Sequence, residues 1–143
     1  MIYSIKYFIT DKTGTLTEGK PSVTDVIVLN GSEDELLSAA YTAEAMSAHP
    51  LAAAICDHAQ KNGTKMLDAR EFSAEIGMGI SAITDNKLCL VGRPEFLIKH
   101  KTDASPAEKI LRELESDGKT AVCVALDGRL LGVIGIADKI RKD

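Results

Sequence analysis

Asp11 follows an apolar run, Ile2 to Ile9, and opens the loop Asp11-Lys12-Thr13-Gly14-Thr15-Leu16-Thr17. A carboxylate at a strand tip, among hydroxyls and glycine, is suited to attack a phosphoryl group and form an aspartyl phosphate. Lys12 and the backbone N–H groups of Thr13 and Gly14 can neutralise phosphate oxygens. Position 13 decides how long such an intermediate lasts. Rapid hydrolysis needs an acid and base two residues beyond the nucleophile, the place of a second aspartate in phosphatases that use a similar loop. Thr13 cannot transfer a proton efficiently, so phosphate on Asp11 is expected to persist.

A second group of residues has the chemistry to hold a purine nucleotide. His49 can stack on a base or hydrogen-bond to it, and Pro50 fixes its direction by stiffening the start of a helix. Glu44 can accept from an exocyclic amine. Gly77 and Gly79 carry no side chain, so their backbone can approach a flat base or ribose, and Gly92 could do the same from the next strand. Each signal alone is unspecific; their order downstream of Asp11 gives them weight.

These residues need a frame. The run Ile2 to Ile9 reads as the strand that delivers Asp11, and Val23 to Leu29 as a second strand closed by Asn30-Gly31. Ser32 with Glu35 has capping-box spacing, and Leu36, Leu37, Ala40, Ala43 and Met46 share one helical face to about Met46. Ser47-Ala48-His49-Pro50 breaks that helix and starts another, running to about Lys61. Ile80 to Thr84 and Leu88 to Val91 flank Asp85-Asn86 as a hairpin. Ser105-Pro106-Ala107-Glu108 predicts a capped helix stopped by Gly118, and Thr120 to Leu126 with Leu130 to Ile136 form a final hairpin about Asp127-Gly128. The order of elements implies an α+β fold, a mostly antiparallel β-sheet flanked by helices.

The loop sequence Asp-Lys-Thr-Gly-Thr-Leu-Thr resembles the phosphorylation signature of the P-type ATPases, and Ser47-Ala48-His49-Pro50-Leu51 resembles the Ser-Glu-His-Pro-Leu element of their heavy-metal branch. Glu44 stands five residues before the histidine, as that family's nucleotide-contacting glutamate does, and Gly77-x-Gly79 with Gly92 completes its adenosine site. The resemblance covers nearly the whole chain. Thr10 replaces the phenylalanine usual before the aspartate, and Ala48 replaces the usual glutamate.

The resemblance implies a nucleotide-binding domain at 21–131, with 1–20 and 132–143 as the edges of an α/β phosphorylation domain; Gly132 to Asp138 and Arg141 look like the returning strand. It implies ATP and Mg²⁺ as cofactors, with Asp11 and Thr13 holding Mg²⁺ only together with a missing part of the phosphorylation domain. The implied partners are the remaining phosphorylation, actuator and transmembrane domains. The chain is expected to be a monomeric fragment, the cytoplasmic domain of an integral membrane protein that exports Cu⁺, with Zn²⁺, Cd²⁺ or Pb²⁺ as the alternative cargo. As a fragment it is expected to bind ATP but to be catalytically incomplete.

Composition agrees with a folded domain and removes other classes. Over 143 residues, 45% are hydrophobic and 27% charged, which is ordinary for a globular protein. The net charge of −4 and the lack of a basic tract argue against a nucleic-acid partner. Leu130 to Ala137 is too short to cross a bilayer, which takes roughly 20 residues. Cys56, Cys89 and Cys123 are widely spaced within apolar stretches and read as packing residues of a reducing compartment. His58 and His100 read as surface residues. Two rivals come from other classes: a small phosphatase, against which Thr13 speaks, and an interaction domain without nucleotide.

Overall fold

The computed structural model describes residues 17–47 and 50–140. The run Ile2 to Ile9, the Asp11 loop with Lys12 and Thr13, His49, and Arg141 lie outside the described residues. In chain order the elements are β1 (Thr17–Val28), α1 (Glu33–Glu44), α2 (Pro50–Lys61), β2 (Arg70–Glu75), β3 (Gly79–Thr84), β4 (Lys87–Gly92), α3 (Pro94–Lys99), a 3₁₀ turn (Ser105–Ala107), α4 (Glu108–Ser116), β5 (Thr120–Leu126) and β6 (Arg129–Ile140).

The strands form one six-stranded sheet in the order β1-β6-β5-β4-β3-β2. Every neighbouring pair is antiparallel. The expected α+β class is therefore what the chain adopts, and helices cover both faces of the sheet. Strand side chains alternate between faces. Along β5, Val122, Val124 and Leu126 meet α1 and α2, while Ala121, Cys123 and Ala125 meet α3 and α4. A register shift opposite Val124 and Ala125 inserts one residue into β6. It lets Leu131, Ile134 and Ile136 share the first face although their spacing is not even throughout.

α1 begins where its sequence says: the Ser32 hydroxyl accepts from the Glu35 N–H at 3.2 Å. It ends at Glu44 rather than Met46, and the Ser47 N–H donates to the Glu44 carbonyl. Its burial is wider than one stripe, taking in Leu36 to Ala40 and Thr42 to Glu44. The sheet covers one side and α2 a second, with Gln60 donating to the Tyr41 hydroxyl at 3.1 Å. The connection after α2 covers the rest: Ser38 donates to the Lys65 carbonyl at 2.9 Å, and the Leu67 N–H to Thr42 Oγ1 at 2.8 Å.

The turns follow their chemistry. Asp85 and Asn86 have φ of 55° and 63°, and Asp127 and Gly128 have φ of 57° and 76°, the double left-handed signature of tight hairpins. α4 differs from its expected start. Ser105 to Ala107 forms a 3₁₀ turn, and α4 opens at Glu108 without a side-chain cap. The reason is Asp103, whose Oδ1 accepts both the Ser105 hydroxyl at 2.6 Å and the Ser105 N–H at 3.0 Å. Two elements have no counterpart among the elements the sequence named, β2 and α3.

Candidate functional site

The Cys89 thiol, on β4, donates to the Ala39 carbonyl of α1 at 3.2 Å, which fixes helix against strand. The N-terminal half of α1 (Asp34, Glu35, Ser38) shares a groove with Thr84, Asp85 and Lys87 at the start of β4, so helix and β4 run in the same direction. From Ala39 to Glu44 the helix rises about 7.5 Å at roughly 1.5 Å per residue. From Cys89 to Val91 and Gly92 the strand advances about 7–10 Å at roughly 3.3 Å per residue. Glu44 thus lies towards the C-terminal end of β4, within electrostatic reach of Cys89, and Gly79 is the direct partner of Gly92 across the β3–β4 ladder.

Gly79 and Gly92 face each other where no side chain fits. A Cβ on Gly79 would lie 2.5 Å from the Val91 carbonyl oxygen, 2.7 Å from Phe96 Cδ2 and 2.8 Å from the Gly92 Cα. A Cβ on Gly92 would run into the Met78 carbonyl oxygen and sit 2.7 Å from the Gly79 Cα. Both glycines are thus demanded by the fold, independently of any ligand. Gly77 differs: its φ is +77°, and a Cβ there would meet nothing within 4 Å. It forms the turn that the Met78 N–H closes on the Glu75 carbonyl at 2.9 Å.

Residues not singled out in the sequence brace this turn. The Arg93 N–H donates to the Met78 carbonyl at 2.9 Å, Lys99 pairs with Glu75, and Phe96 packs under Gly79. The only hint of them was their closeness in sequence to Gly92, because α3 is too short for helical periodicity to show. His100, expected at the surface, is half-buried with its ring edge-on to Phe96 at 4.8 Å. His58 is half-buried as well.

Glu44 is the unusual group. It is only 8% exposed, and among the described residues no cation pairs with it. Burial disfavours the charged carboxylate and raises its pKa to about 7. It ends α1, whose last turn carries no basic residue, so the partial negative charge of the helix terminus acts in the same direction. Burial, and then the Glu44 charge, push the thiols of Cys56 and Cys89 up, Cys89 to about 12. Cys123 is raised to about 12, first by burial. Thiols held protonated in this way pack as small apolar groups.

The structure therefore pairs Gly79 with Gly92, sets Gly77 in the turn beside that pair, places Glu44 at the end of α1, and starts α2 at Pro50. A groove of about 800 Å³ lies at the opposite end of α1, beside the Asp85-Asn86 turn. It is lined by Asp34, Glu35, Asp68 and Asp85 against Arg70 and Lys87, and contains none of the candidate site residues. Its acidic wall is unsuited to a triphosphate.

Known proteins resemble this chain over nearly its whole length. The haloacid dehalogenase-like hydrolase family matches residues 5–143. A copper-exporting P-type ATPase of Vibrio cholerae is 43% identical over 92% of the chain, and copper-exporting P-type ATPase B of Archaeoglobus fulgidus is 42% identical over 93%. The chain spans 14% and 19% of those two relatives. Among solved structures, a zinc-transporting PIB-type ATPase matches with a TM-score of 0.79 and 38% identity, over 93% of this chain and 21% of that one. The N-domain of HMA8, a copper-transporting P-type ATPase, matches with a TM-score of 0.70 and 29% identity, over 81% of this chain and 99% of that one. The chain belongs to the haloacid dehalogenase-like hydrolase family and is similar to the N-domain segment of the heavy-metal P-type ATPases.

Proposed function

We propose that this chain is the ATP-binding domain of a heavy-metal P-type ATPase and holds the adenosine of ATP with Glu44, His49, Pro50, Gly77, Gly79 and Gly92. The observation that supports the reading is the Glu44 carboxyl, buried at the end of α1, on the helix that packs against the strand bearing Gly92. Glycine at both positions lets β3 and β4 close on each other without side chains, and the Glu44 carboxyl is the group proposed to meet the base edge. Gly77 lets the adjoining turn pass close to the ribose. His49, on the connection between α1 and α2, is the residue proposed to stack on or hydrogen-bond to the base.

Asp11 is the proposed nucleophile, with Lys12 and Thr13 on the transferred phosphoryl group. Asp11 and Thr13, with the rest of the phosphorylation domain, would hold Mg²⁺, which supplies charge neutralisation at the phosphates. The proposed adenosine-binding body spans 21–131, and 1–20 and 132–143 belong to the phosphorylation domain. β1 and β6 run paired through both junctions, from Thr17 opposite Ile140 to Val28 opposite Gly132. The remaining phosphorylation, actuator and transmembrane domains are the proposed partners, which would make this chain a cytoplasmic part of a membrane protein.

The proposed cargo is Cu⁺, supported by the copper-exporting relatives. Zn²⁺ is the second reading, favoured by the likeness to the zinc-transporting structure. The function is tested by calorimetric titration of the chain with ATP and with a generic phosphoester. Saturable ATP binding without phosphoester hydrolysis is expected; turnover of the phosphoester would favour a phosphatase, and no binding an interaction domain. In the intact transporter, Asp11→Asn should abolish the acid-stable phosphoenzyme formed from radiolabelled ATP.

A further inference from the structure

We propose that the Asp25–Lys119 ion pair is a strap laid across β6, which holds the β1–β6 ribbon in one orientation on the body of the sheet, and that the ribbon pivots at Thr24 when the strap is released. The strap itself is independent of nucleotide. Its consequence for phosphoryl transfer rests on the reading given under Proposed function.

β1 and β6 outrun the rest of the sheet. β5 pairs with β6 as far as Thr120 opposite Ile136, whereas β1 continues beside β6 to Thr17 opposite Ile140. Past Ile136 the two strands have only each other among the described strands, and a two-stranded ribbon is marginally stable on its own. The step from three strands to two carries a bulge. Val23 stands opposite Ile136 and Asp25 opposite Gly135, so Thr24 is an extra residue of β1. An extra residue disrupts the ladder locally and bends its strand, which makes Thr24 the pivot.

The ion pair crosses the sheet at this place. Asp25, Gly135 and Ala121 stand side by side on β1, β6 and β5. Lys119 comes one residue before β5, and its Nζ meets Asp25 Oδ1 at 2.7 Å, so the contact passes over the intervening strand β6. Gly135 leaves the room for it. A Cβ there would lie 3.1 Å from Asp25 Cβ, 3.2 Å from Asp25 Oδ1 and 3.3 Å from Leu114 Cδ1. Both ends of the strap are held. The Lys119 N–H donates to the Leu114 carbonyl at 3.0 Å, which ties it to α4. The Thr24 hydroxyl donates to Asp25 Oδ1 at 2.6 Å and lies 3.3 Å from the Gly135 carbonyl oxygen, which couples the bulge to the strap. The two side chains are 25% and 30% exposed, so the pair is screened less than one fully in water.

The ribbon leads back along the chain towards Asp11. With the strap closed, its direction is set before nucleotide binds, and groups held ready in place react faster than groups that must first be brought together.

The test measures residual dipolar couplings of the backbone amides in the labelled chain, for the ribbon (17–22 and 137–140) and the body separately. The parent is compared with Lys119→Met, with Asp25→Asn and with the exchanged pair, Asp25→Lys with Lys119→Asp. One alignment tensor should fit ribbon and body in the parent. In each single variant the body should keep its tensor while the ribbon couplings shrink and leave it, and the exchanged pair should restore the single fit. A ribbon that stays on the body's tensor in both single variants, or is independent of it in the parent, overturns the strap. So does loss of the body's own couplings in both, which would make the pair a requirement of the fold, or failure of the exchanged pair, which would show that packing and not charge holds the ribbon. In the intact transporter, Lys119→Met should slow phosphoenzyme formation at saturating ATP about fivefold, the most that a partly exposed ion pair ordinarily carries, with half-saturation by ATP unchanged. An unchanged rate overturns the consequence for phosphoryl transfer and leaves the ATP-site reading standing. Failure of the chain to bind ATP overturns that reading and leaves the strap, which the couplings report without nucleotide.

Discussion

A carboxyl buried at a helix C-terminus, with no cation paired to it among the described residues, weakens the fold that contains it, and Glu44 should show this as a pH dependence of stability. Its pKa is raised from 4.5 to about 7, so the folded state holds the proton that the unfolded chain releases. Stability is then unaffected by this group below the unfolded pKa, falls as pH rises from 4.5 to about 7, and stays reduced above that. The full reduction is on the order of 3 kcal/mol by the linkage between pKa and free energy. Glu44→Gln should remove this slope and raise stability at pH 8 by up to that amount, as urea unfolding at several pH values would read. A variant no more stable at pH 8 than the parent would mean that the carboxyl is solvated.

The glycines separate into two kinds at the same scale. Gly79→Ala places a methyl group against the Val91 carbonyl and the Gly92 Cα, both backbone, so strand separation is the relief available. A loss of about 1–3 kcal/mol is expected, as for other overpacked sites. Gly77→Ala meets no atom but must hold a φ of +77°, a strain of about 1 kcal/mol. Thermal unfolding of both should rank Gly79→Ala as the more damaging. The reverse order would show that the seam is looser than the ladder implies.

At the scale of elements, what was legible in the sequence was whatever local chemistry enforces. Ser32 as cap, Pro50 as the start of α2, Gly118 as the stop after α4 and the two hairpin turns depend on side chains within four residues of each other, and all stand where expected. Ser32→Ala should cost about 1 kcal/mol, the usual value of an N-cap, measurable by thermal unfolding. β2 escaped notice because its burial does not alternate and Glu71 interrupts it with a φ of 56°. α3 spans six residues, under two turns, and is held by Phe96 and Leu97 in the core rather than by a periodic stripe. The cap expected at Ser105 failed because Asp103, two residues upstream, takes its hydroxyl.

Across the whole molecule, the candidate site was legible as residue types but not as a place. Motif order selected Glu44 and the three glycines, yet the packing of their elements on one another depends on contacts such as Ala39–Cys89, a pairing across 50 positions that no local pattern encodes. The burial of Glu44 likewise comes from tertiary packing, so its shifted pKa could not be read from the chain. Long-range contacts also hold the strand pair that leads towards the two ends of the described chain. Lys119 Nζ meets Asp25 Oδ1 at 2.7 Å beside a register irregularity of β1, and that pairing lowers the Asp25 pKa, with Thr24 assisting. The stabilisation from Asp25 is present above its ordinary pKa of 3.8 and is lost as pH falls through the lower folded value. Lys119→Met should cost on the order of 1 kcal/mol at neutral pH, and the difference should disappear in acid once Asp25 is protonated.

The central claim is that the C-terminal end of α1 and the Gly79–Gly92 seam together form an adenosine site. The most direct measurement is a titration of the isotopically labelled chain with ATP, following its backbone amides. The account predicts saturable shifts concentrated at Glu44, Gly77, Gly79, Gly92 and the residues about His49, with the groove beside Asp85-Asn86 unmoved. Shifts confined to that groove, or none at saturating ATP, would contradict it.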